Sequence, residues 1–385
     1  MFRIRSDTLS SMAVSQTVHN ISNRYFIILS SFSVSSLAFS PSGLKSLEDI
    51  TIYKVDRLLD RFGLSKEPFE IGDAFTSLTF DVIGNYIGGP GLDFRTTENP
   101  EKMESDKILM ALDEAMKSRE NAQKIFNGRL DYKKYKQRMD AYKALHDSTA
   151  EIINDRLSGK TVSKDGQPDV LDRMLNTVDK DTNEKMDTVL IRNHLILFLL
   201  VGHDSTSSLL TSLIYVLTQH PEVEEKIHQE VETVIGDGVP TMENIKKLSY
   251  TMAVIKETLR LYPPAVALSK TCLKNTSLGP WKIRKGARMI VIVKEVHKNK
   301  EYWGDNADKF DPSRFLPNSP NEQRHDYAWL PFSSGPRGCI GMQFSLIEAR
   351  IILARMIPRF TFRLHKDAEA KEKFRTVRPF IRNFV

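Results

Sequence analysis

The run Pro331-Phe332-Ser333-Ser334-Gly335-Pro336-Arg337-Gly338-Cys339-Ile340-Gly341 constrains this chain more than any other feature. Three glycines and two prolines within eleven residues demand a tight and unusual turn. Glycine accepts positive φ and lets the main chain pass close to other atoms. A cysteine stands at the end of the turn, and the apolar spacing from Ile340 to Phe360 predicts a helix directly after it. Backbone N–H groups and the helix dipole at such a place favour a thiolate over a thiol. A cysteine among glycines is by itself more often a small buried residue or a redox thiol. Arg337, two residues earlier, sets Cys339 apart by offering a cation beside the sulfur.

Composition narrows the classes. With 41% hydrophobic residues in 385, the chain has ample material for a core. Its 55 basic residues are interspersed with 49 acidic ones, which predicts a mixed solvated surface rather than a nucleic-acid partner. Two cysteines, Cys272 and Cys339, allow at most one bridge and form no zinc spacing, so an intracellular setting with reduced thiols fits best. No stretch reads as long enough to span a membrane. Phe26 to Phe39 is apolar but short and rich in serine, without a signal-peptide layout, and the apolar run Leu195 to Val201 is soon followed by His203 and Asp204.

Periodicity predicts helices over Leu44 to Phe62, Asp73 to Ile87, Glu101 to Glu120, Leu130 to Arg156 and Asp187 to Gln219, with another ending near Ile235. Ser158 to Pro168 reads as a loop. Thr241 caps a short helix, and Tyr250 to Leu261 is a helix halted by Pro263 and Pro264. Trp281 to Val296, with alternating β-branched residues, reads as short strands. The expected fold is mainly α with a minor β portion.

Two further constellations gain meaning from their placement. Glu257 and Arg260 face one another at i, i+3, directly ahead of the proline pair. In the long helix, Gly202 weakens the backbone ladder and leaves room for a flat group, and Asp204 beside Ser205 pairs an acid with a hydroxyl that can relay protons. His203 has no second imidazole spaced to join it and reads as a packing residue.

The cysteine run matches F-x-x-G-x-R-x-C-x-G at every fixed position, through Phe332, Gly335, Arg337, Cys339 and Gly341. This chain therefore resembles the cytochrome P450 family, in its eukaryotic, fungal-type form. The resemblance implies a P450-like helical fold with minor β-sheets. Residues 1–30 are then an unmatched N-terminal segment, and residues 31–385 a P450 domain incomplete at its N-terminal side. No membrane anchor, proline-rich hinge, first β-sheet or early haem-binding helix is recognisable before Ser40. A soft thiolate suits haem iron and favours O–O cleavage. The resemblance makes Cys339 the axial ligand of haem b (iron protoporphyrin), with Phe332, Gly335 and Gly341 shaping its loop. Arg337 and Lys270 are cations for the propionates. Glu257, Arg260 and Arg314, the last in Phe310-Asp311-Pro312-Ser313-Arg314-Phe315, form a structural network behind the loop.

Asp204 and Ser205 take the place of the family's acid–alcohol pair, with Thr206 as a second hydroxyl. The usual first alcohol is threonine, so the rotamer-restricting methyl is missing here. Val201, Gly202, Ala265, Val266 and Ala267 line the expected substrate pocket. The implied activity is a monooxygenase inserting one atom of O2 into an apolar small molecule, fatty-acid-like or secondary-metabolite-like. The stretch from Ala111 to Met116 is similar to the fatty-acid-hydroxylating branch. Electrons would come from a separate NADPH-dependent flavoprotein reductase. The family implies association with the endoplasmic reticulum membrane, without an anchor in this chain. The competing readings are a haem-thiolate isomerase or peroxygenase, and a truncated, inactive or haem-poor pseudoenzyme.

Overall fold

The computed structural model describes residues 39–40, 43–64, 69–99, 108, 110–111, 132–163, 168–178, 183–319, 324–364 and 376–381. The expected helix Glu101 to Glu120, the Ala111 to Met116 stretch and most of the segment Phe26 to Phe39 lie outside these residues. The chain divides into two compact units, Met1–Leu58 with Thr76–Asp204, and Leu59–Phe75 with Ser205–Val385.

The first unit is helical. It contains most of α1 (Lys45–Leu64) and α2 (Ile71–Gly88), all of α3 (Tyr132–Leu157) and α4 (Val170–Asn176), and the first half of α5 (Thr188–Gln219). Leu47, Thr51, Val55 and Leu58 recur at helical spacing along α1 and are buried. Gly202 lets α5 and α2 approach closely. A Cβ at that position would lie 2.6 Å from Cγ1 of Ile83, so no larger residue fits without moving the helices. Thr79 Oγ1 donates to the His203 carbonyl at 3.0 Å across the same contact. His203 packs its ring edge-on to Phe80, and its Nδ1 meets the Leu199 carbonyl at 2.6 Å, in keeping with a packing role.

A buried charge cluster ties the start of this unit together. Asp81 is fully buried and accepts from Thr96 N (2.9 Å), Thr97 N (2.8 Å) and Thr96 Oγ1 (2.8 Å). Lys54, 1% exposed, lies 3.9 Å from Asp81 and 2.5 Å from Asp93. Arg156 binds Asp169, Asp172 and the Gly88 carbonyl and so fixes α3 to α4 and to the end of α2.

The second unit holds the rest of α5, then α6 (Pro221–Val234) and α7 (Ser249–Leu261). Glu230 of α6 accepts from Tyr250 N, Thr251 N and Thr251 Oγ1, placing a carboxylate on the N-terminus of α7. After α7 the chain forms two small antiparallel pairs. Strand β2 (Ala267–Thr271) pairs with β5 (Arg288–Ile292), and β3 (Thr276–Leu278) pairs with β4 (Trp281–Ile283). Short helices α8 (Val293–Val296) and α9 (Lys300–Trp303) lead into the loop before α10 (Met342–Met356). A three-stranded sheet, ordered β1 (Phe69–Glu70), β7 (Thr376–Ile381), β6 (Phe360–Leu364), completes the unit.

The mainly helical reading holds, with corrections of detail. Thr241 closes a turn with Asn244 that runs into a 3-10 segment, Ile245–Lys247, rather than a short α-helix. The β region begins at Ala267 instead of Trp281, and Val293–Val296 is helical. The last helix stops at Met356, and Phe360 starts a strand. By length and composition alone α5 is apolar enough to cross a membrane, contrary to the sequence reading. Leu195, Phe198, Leu199, Leu209, Leu213 and Ile214 are buried along it, and 39% of its apolar window is buried in all.

Removing a partner from a buried charge cluster leaves the others desolvated and unpaired, at a cost of about 3–5 kcal/mol. We expect Asp81→Ala to destabilise the protein by that order, read as a lower urea midpoint at unchanged slope. A loss under about 1 kcal/mol would show that Lys54 and the two threonine amides find other partners.

Candidate functional site

The cysteine loop is shaped by backbone demands at two neighbouring positions. Gly335 has φ +76, with open space where a Cβ would stand, so glycine is required there by conformation alone. Ser333 takes φ +60 without being glycine, a local strain of order 1 kcal/mol that the surrounding bonds must hold. Gly338 has ordinary φ but would bring a Cβ to 3.2 Å from the Gly335 carbonyl. Of the three glycines in the run, only Gly335 uses positive φ.

Within this loop Cys339 N donates to the Phe332 carbonyl at 2.8 Å, closing the turn on itself. The Cys339 side chain is open to solvent, whereas Cys272 is buried. Gly341, just ahead of α10, packs against the sulfur and its N–H donates to it. Burial on the remaining sides nevertheless raises the Cys339 thiol above its ordinary value. Desolvation on those sides works against the single N–H, which favours the thiolate.

Behind the loop lies a buried lattice of charge. Glu257, Arg260 and Arg314 are all at most 4% exposed. Arg260 grips Glu257 through two bonds of 2.7 Å, Nε to Oε2 and Nη2 to Oε1. Its other donors reach the carbonyls of His297, Ala307 and Lys309. Arg314 stands 3.5 Å from Glu257 through Nε and donates to the carbonyls of Trp303 and Asn306. Asp311 N also donates to Glu257 at 2.9 Å. Burial pushes the Glu257 carboxyl up against the pull of these donors. The three residues singled out in the sequence thus meet in one lattice.

The sequence reading missed what connects this lattice to the cysteine. His297 is fully buried, and Leu330 N donates to its Nε2 at 2.7 Å. The proton therefore sits on Nδ1, which donates to the Arg260 carbonyl at 3.0 Å. A neutral imidazole thus spans from α7 to the residue before Pro331. The guanidiniums of Arg260 and Arg324 each lie 4.9 Å from the Trp303 ring. Phe315 and Trp329 continue the stack to Phe332 at the mouth of the loop. None of these carries a periodic signal, although a histidine and a tryptophan flanking a Glu-Arg helix are the residue types that bury well while still bonding.

α5 and α10 meet at Thr206, whose buried hydroxyl donates to Ser345 at 3.2 Å. One turn further along α10, Glu348 is fully buried, and neither carboxyl oxygen meets a donor among the described residues. Burial pushes its carboxyl well above the usual carboxylate range. A glutamate inside the apolar stretch Phe344 to Met356 was the available signal for it. Asp204 and Ser205 are exposed, as is Val201. Ala265, Val266, Ala267 and Lys270 are exposed too, together with Ile290 and Ile292 across the ribbon. Arg337 is exposed within the loop. The open sulfur and the exposed Arg337 on the same loop fit a group with an anionic edge and a soft-ligand centre.

His297 is held down to about 4 by burial, against the pull of its bond to the Arg260 carbonyl and with the Arg260 charge adding to the depression. Between pH 6.5 and that value the unfolded imidazole binds a proton that the folded one refuses, so stability falls as pH is lowered through this window. We expect His297 to account for about 3 kcal/mol of this loss by the low end. His146, His194 and His203, also lowered by burial, add in the same direction. Urea midpoints measured across the window should show a flatter profile for His297→Gln, and an unchanged slope would assign the acid sensitivity to the other histidines.

The cytochrome P450 family model matches residues 30–382. A bifunctional cytochrome P450/NADPH–P450 reductase of Bacillus cereus is 34% identical over 300 residues, covering 76% of this chain and 27% of that protein. A cytokinin hydroxylase of Arabidopsis thaliana is 31% identical over 328 residues, covering 84% of this chain and 61% of its own length. Secologanin synthase 2 of Catharanthus roseus is 30% identical over 321 residues, covering 80% and 58%. The chain thus spans from 27% to 61% of the length of these relatives. The family match runs over nearly the whole chain and includes the loop, the lattice and the helix after the cysteine, and on that ground the chain belongs to the cytochrome P450 family.

Proposed function

We propose that this chain is a haem-thiolate monooxygenase that inserts one atom of O2 into an apolar small molecule, the other atom leaving as water. The observation that carries the reading is the open Cys339 sulfur on a strained loop braced by the fully buried Glu257–Arg260–Arg314 lattice. Haem b, when bound, supplies the redox chemistry that activates O2. Cys339 Sγ would hold its iron. The Gly341 N–H stabilises charge on the sulfur, and Phe332, Gly335 and Gly341 keep the loop in register. Arg337 and Lys270 would pair with the propionates.

Ala265, Val266 and Ala267, with Val201 and Gly202, offer apolar lining to substrate. Asp204 and Ser205 hold and pass the protons that oxygen activation consumes. Thr206 is committed to Ser345 and acts as an anchor between α5 and α10. Electrons come from a separate NADPH-dependent flavoprotein reductase, and the chain works at the endoplasmic reticulum membrane. The names of the plant relatives, a cytokinin hydroxylase and a secologanin synthase, support a small-molecule substrate, secondary-metabolite-like or fatty-acid-like.

Two experiments test this reading. The reduced protein under carbon monoxide should give a thiolate-type haem spectrum that Cys339→Ala abolishes and Cys272→Ala leaves intact. Retention of that spectrum in Cys339→Ala would falsify the ligand assignment. Ser205→Ala should raise peroxide released per product by about tenfold or more, the scale of a lost proton donor, with substrate affinity unchanged. Ser205→Thr should tighten coupling, because the added methyl restricts the hydroxyl rotamer. Normal coupling in Ser205→Ala would remove Ser205 from the proton path.

A further inference from the structure

Two consecutive residues ahead of the cysteine loop are tied to α7. Trp329 Nε1 donates to the Lys256 carbonyl at 3.2 Å, and Leu330 N donates to His297 Nε2 at 2.7 Å. His297 passes the second tie on, since its Nδ1 donates to the Arg260 carbonyl at 3.0 Å. Arg260 in turn donates from Nη1 to the His297 carbonyl at 2.8 Å. The two residues clasp each other, side chain to main chain in both directions. The Arg260 carbonyl lies in the last turn of α7, where a helix leaves its carbonyls without partners, so the imidazole meets a demand that the helix itself cannot.

Leu330 carries the tie into the loop. Its carbonyl accepts from Ser333 N at 3.1 Å, which closes a turn over Pro331 and Phe332. The Phe332 carbonyl accepts from Cys339 N at 2.8 Å. That carbonyl and the Ser333 N–H belong to one planar peptide unit. One end of the unit therefore faces Leu330 and the other faces the cysteine. Its orientation is set by the φ of Ser333, which is +60, a value that a residue with a Cβ keeps only under constraint. If Leu330 were released, Ser333 would return to negative φ. The peptide unit would turn with it and withdraw the acceptor from Cys339 N.

We infer that His297 is a positioning residue for Cys339: by holding Leu330 N it keeps the Phe332–Ser333 peptide turned toward the cysteine against the strain at Ser333. His297 does not touch the sulfur and takes no part in the chemistry. Its role needs one acceptor and one donor at opposite ends of a small, fully buried side chain, and a neutral imidazole supplies both. The tie at Trp329 is no substitute, because among the described residues no main-chain bond runs from Trp329 into the loop. The functional meaning of the inference rests on the thiolate role proposed above for Cys339. The hold on the loop rests on geometry alone.

The test follows amide hydrogen exchange by NMR in the full chain, together with the spectrum of the reduced protein under carbon monoxide. His297→Phe keeps a ring of similar shape and removes both bonds. It should speed exchange at Leu330, Ser333 and Cys339 by about tenfold or more, the scale of a lost buried hydrogen bond, and well beyond any change at Ile255 in the middle of α7. The thiolate-type share of the spectrum should fall with it. His297→Gln, whose amide offers both an acceptor and a donor, should restore both readouts. Ser333→Gly added to His297→Phe should win back about fivefold in protection, because glycine holds positive φ without strain. The thiolate-type share should recover as well, which a role confined to packing would not produce. If His297→Phe does not fold, His297→Asn, too short to meet both partners, gives the same comparison with and without Ser333→Gly. Unchanged exchange at the three amides, an equal rise at Ile255, or no recovery with either His297→Gln or Ser333→Gly would each overturn the inference. Exchange that follows His297 in a chain without a thiolate-type spectrum would leave the hold on the loop standing while removing the haem-thiolate reading.

Discussion

The grip of Arg260 on Glu257 organises everything that follows it in the chain. A carboxylate and two guanidiniums without water are costly unless nearly every donor and acceptor is matched. Here the matching groups are main-chain atoms from the segment between α8 and the 3-10 turn at Pro312–Phe315. The lattice therefore does more than stabilise. It dictates where His297, Trp303, Asn306, Ala307 and Lys309 must lie, because each carbonyl is needed as an acceptor. A long stretch with little regular structure is fixed by charge satisfaction rather than by a ladder of helix or strand bonds.

That ordering reaches the cysteine by two routes. One is polar, through the neutral His297 bridge from Arg260 to Leu330. The other is apolar, through Trp303, Phe315 and Trp329 to Phe332, with Arg324 stacked on two of the rings. Trp329 is itself held by Nε1 donating to the Lys256 carbonyl of α7. Both routes start at α7 and end within three residues of each other, just where Ser333 takes its left-handed conformation. A strained turn persists only when its surroundings over-determine it. The same bracing leaves the sulfur side of the turn open while its backbone stays closed.

α10 completes the arrangement from the other end. It starts right after the cysteine loop and is held to α5 by the Thr206–Ser345 bond, and burial pushes its Glu348 carboxyl well above the usual carboxylate range. The two hydroxyls at 205 and 206 thus have different surroundings. Thr206 faces the protein and is spent on packing, whereas Ser205 is exposed. Adjacent residues on a helix point about 100° apart, which is enough to separate a packed hydroxyl from an exposed one.

From sequence alone, the helix-rich fold was legible because apolar residues at helical spacing need only a local count. Leu47, Val55 and Leu58 or Leu195, Phe198 and Leu199 announce a buried stripe without knowledge of what covers them. The cysteine loop and the Glu257–Arg260 pair were legible because their meaning lies in short spacing. Strands β1, β2, β3, β6 and β7 were not, since a two- to six-residue strand is defined by a partner elsewhere in the chain, such as Phe360 opposite Ile381. The tertiary structure alone decided that His297 is neutral and bridging, and that Thr206 is an anchor. It likewise decided that Cys339 is pushed toward the thiol and that Gly202 is filled by Ile83. Each of these depends on which atoms from distant segments exclude water at one point, and sequence spacing carries no record of that.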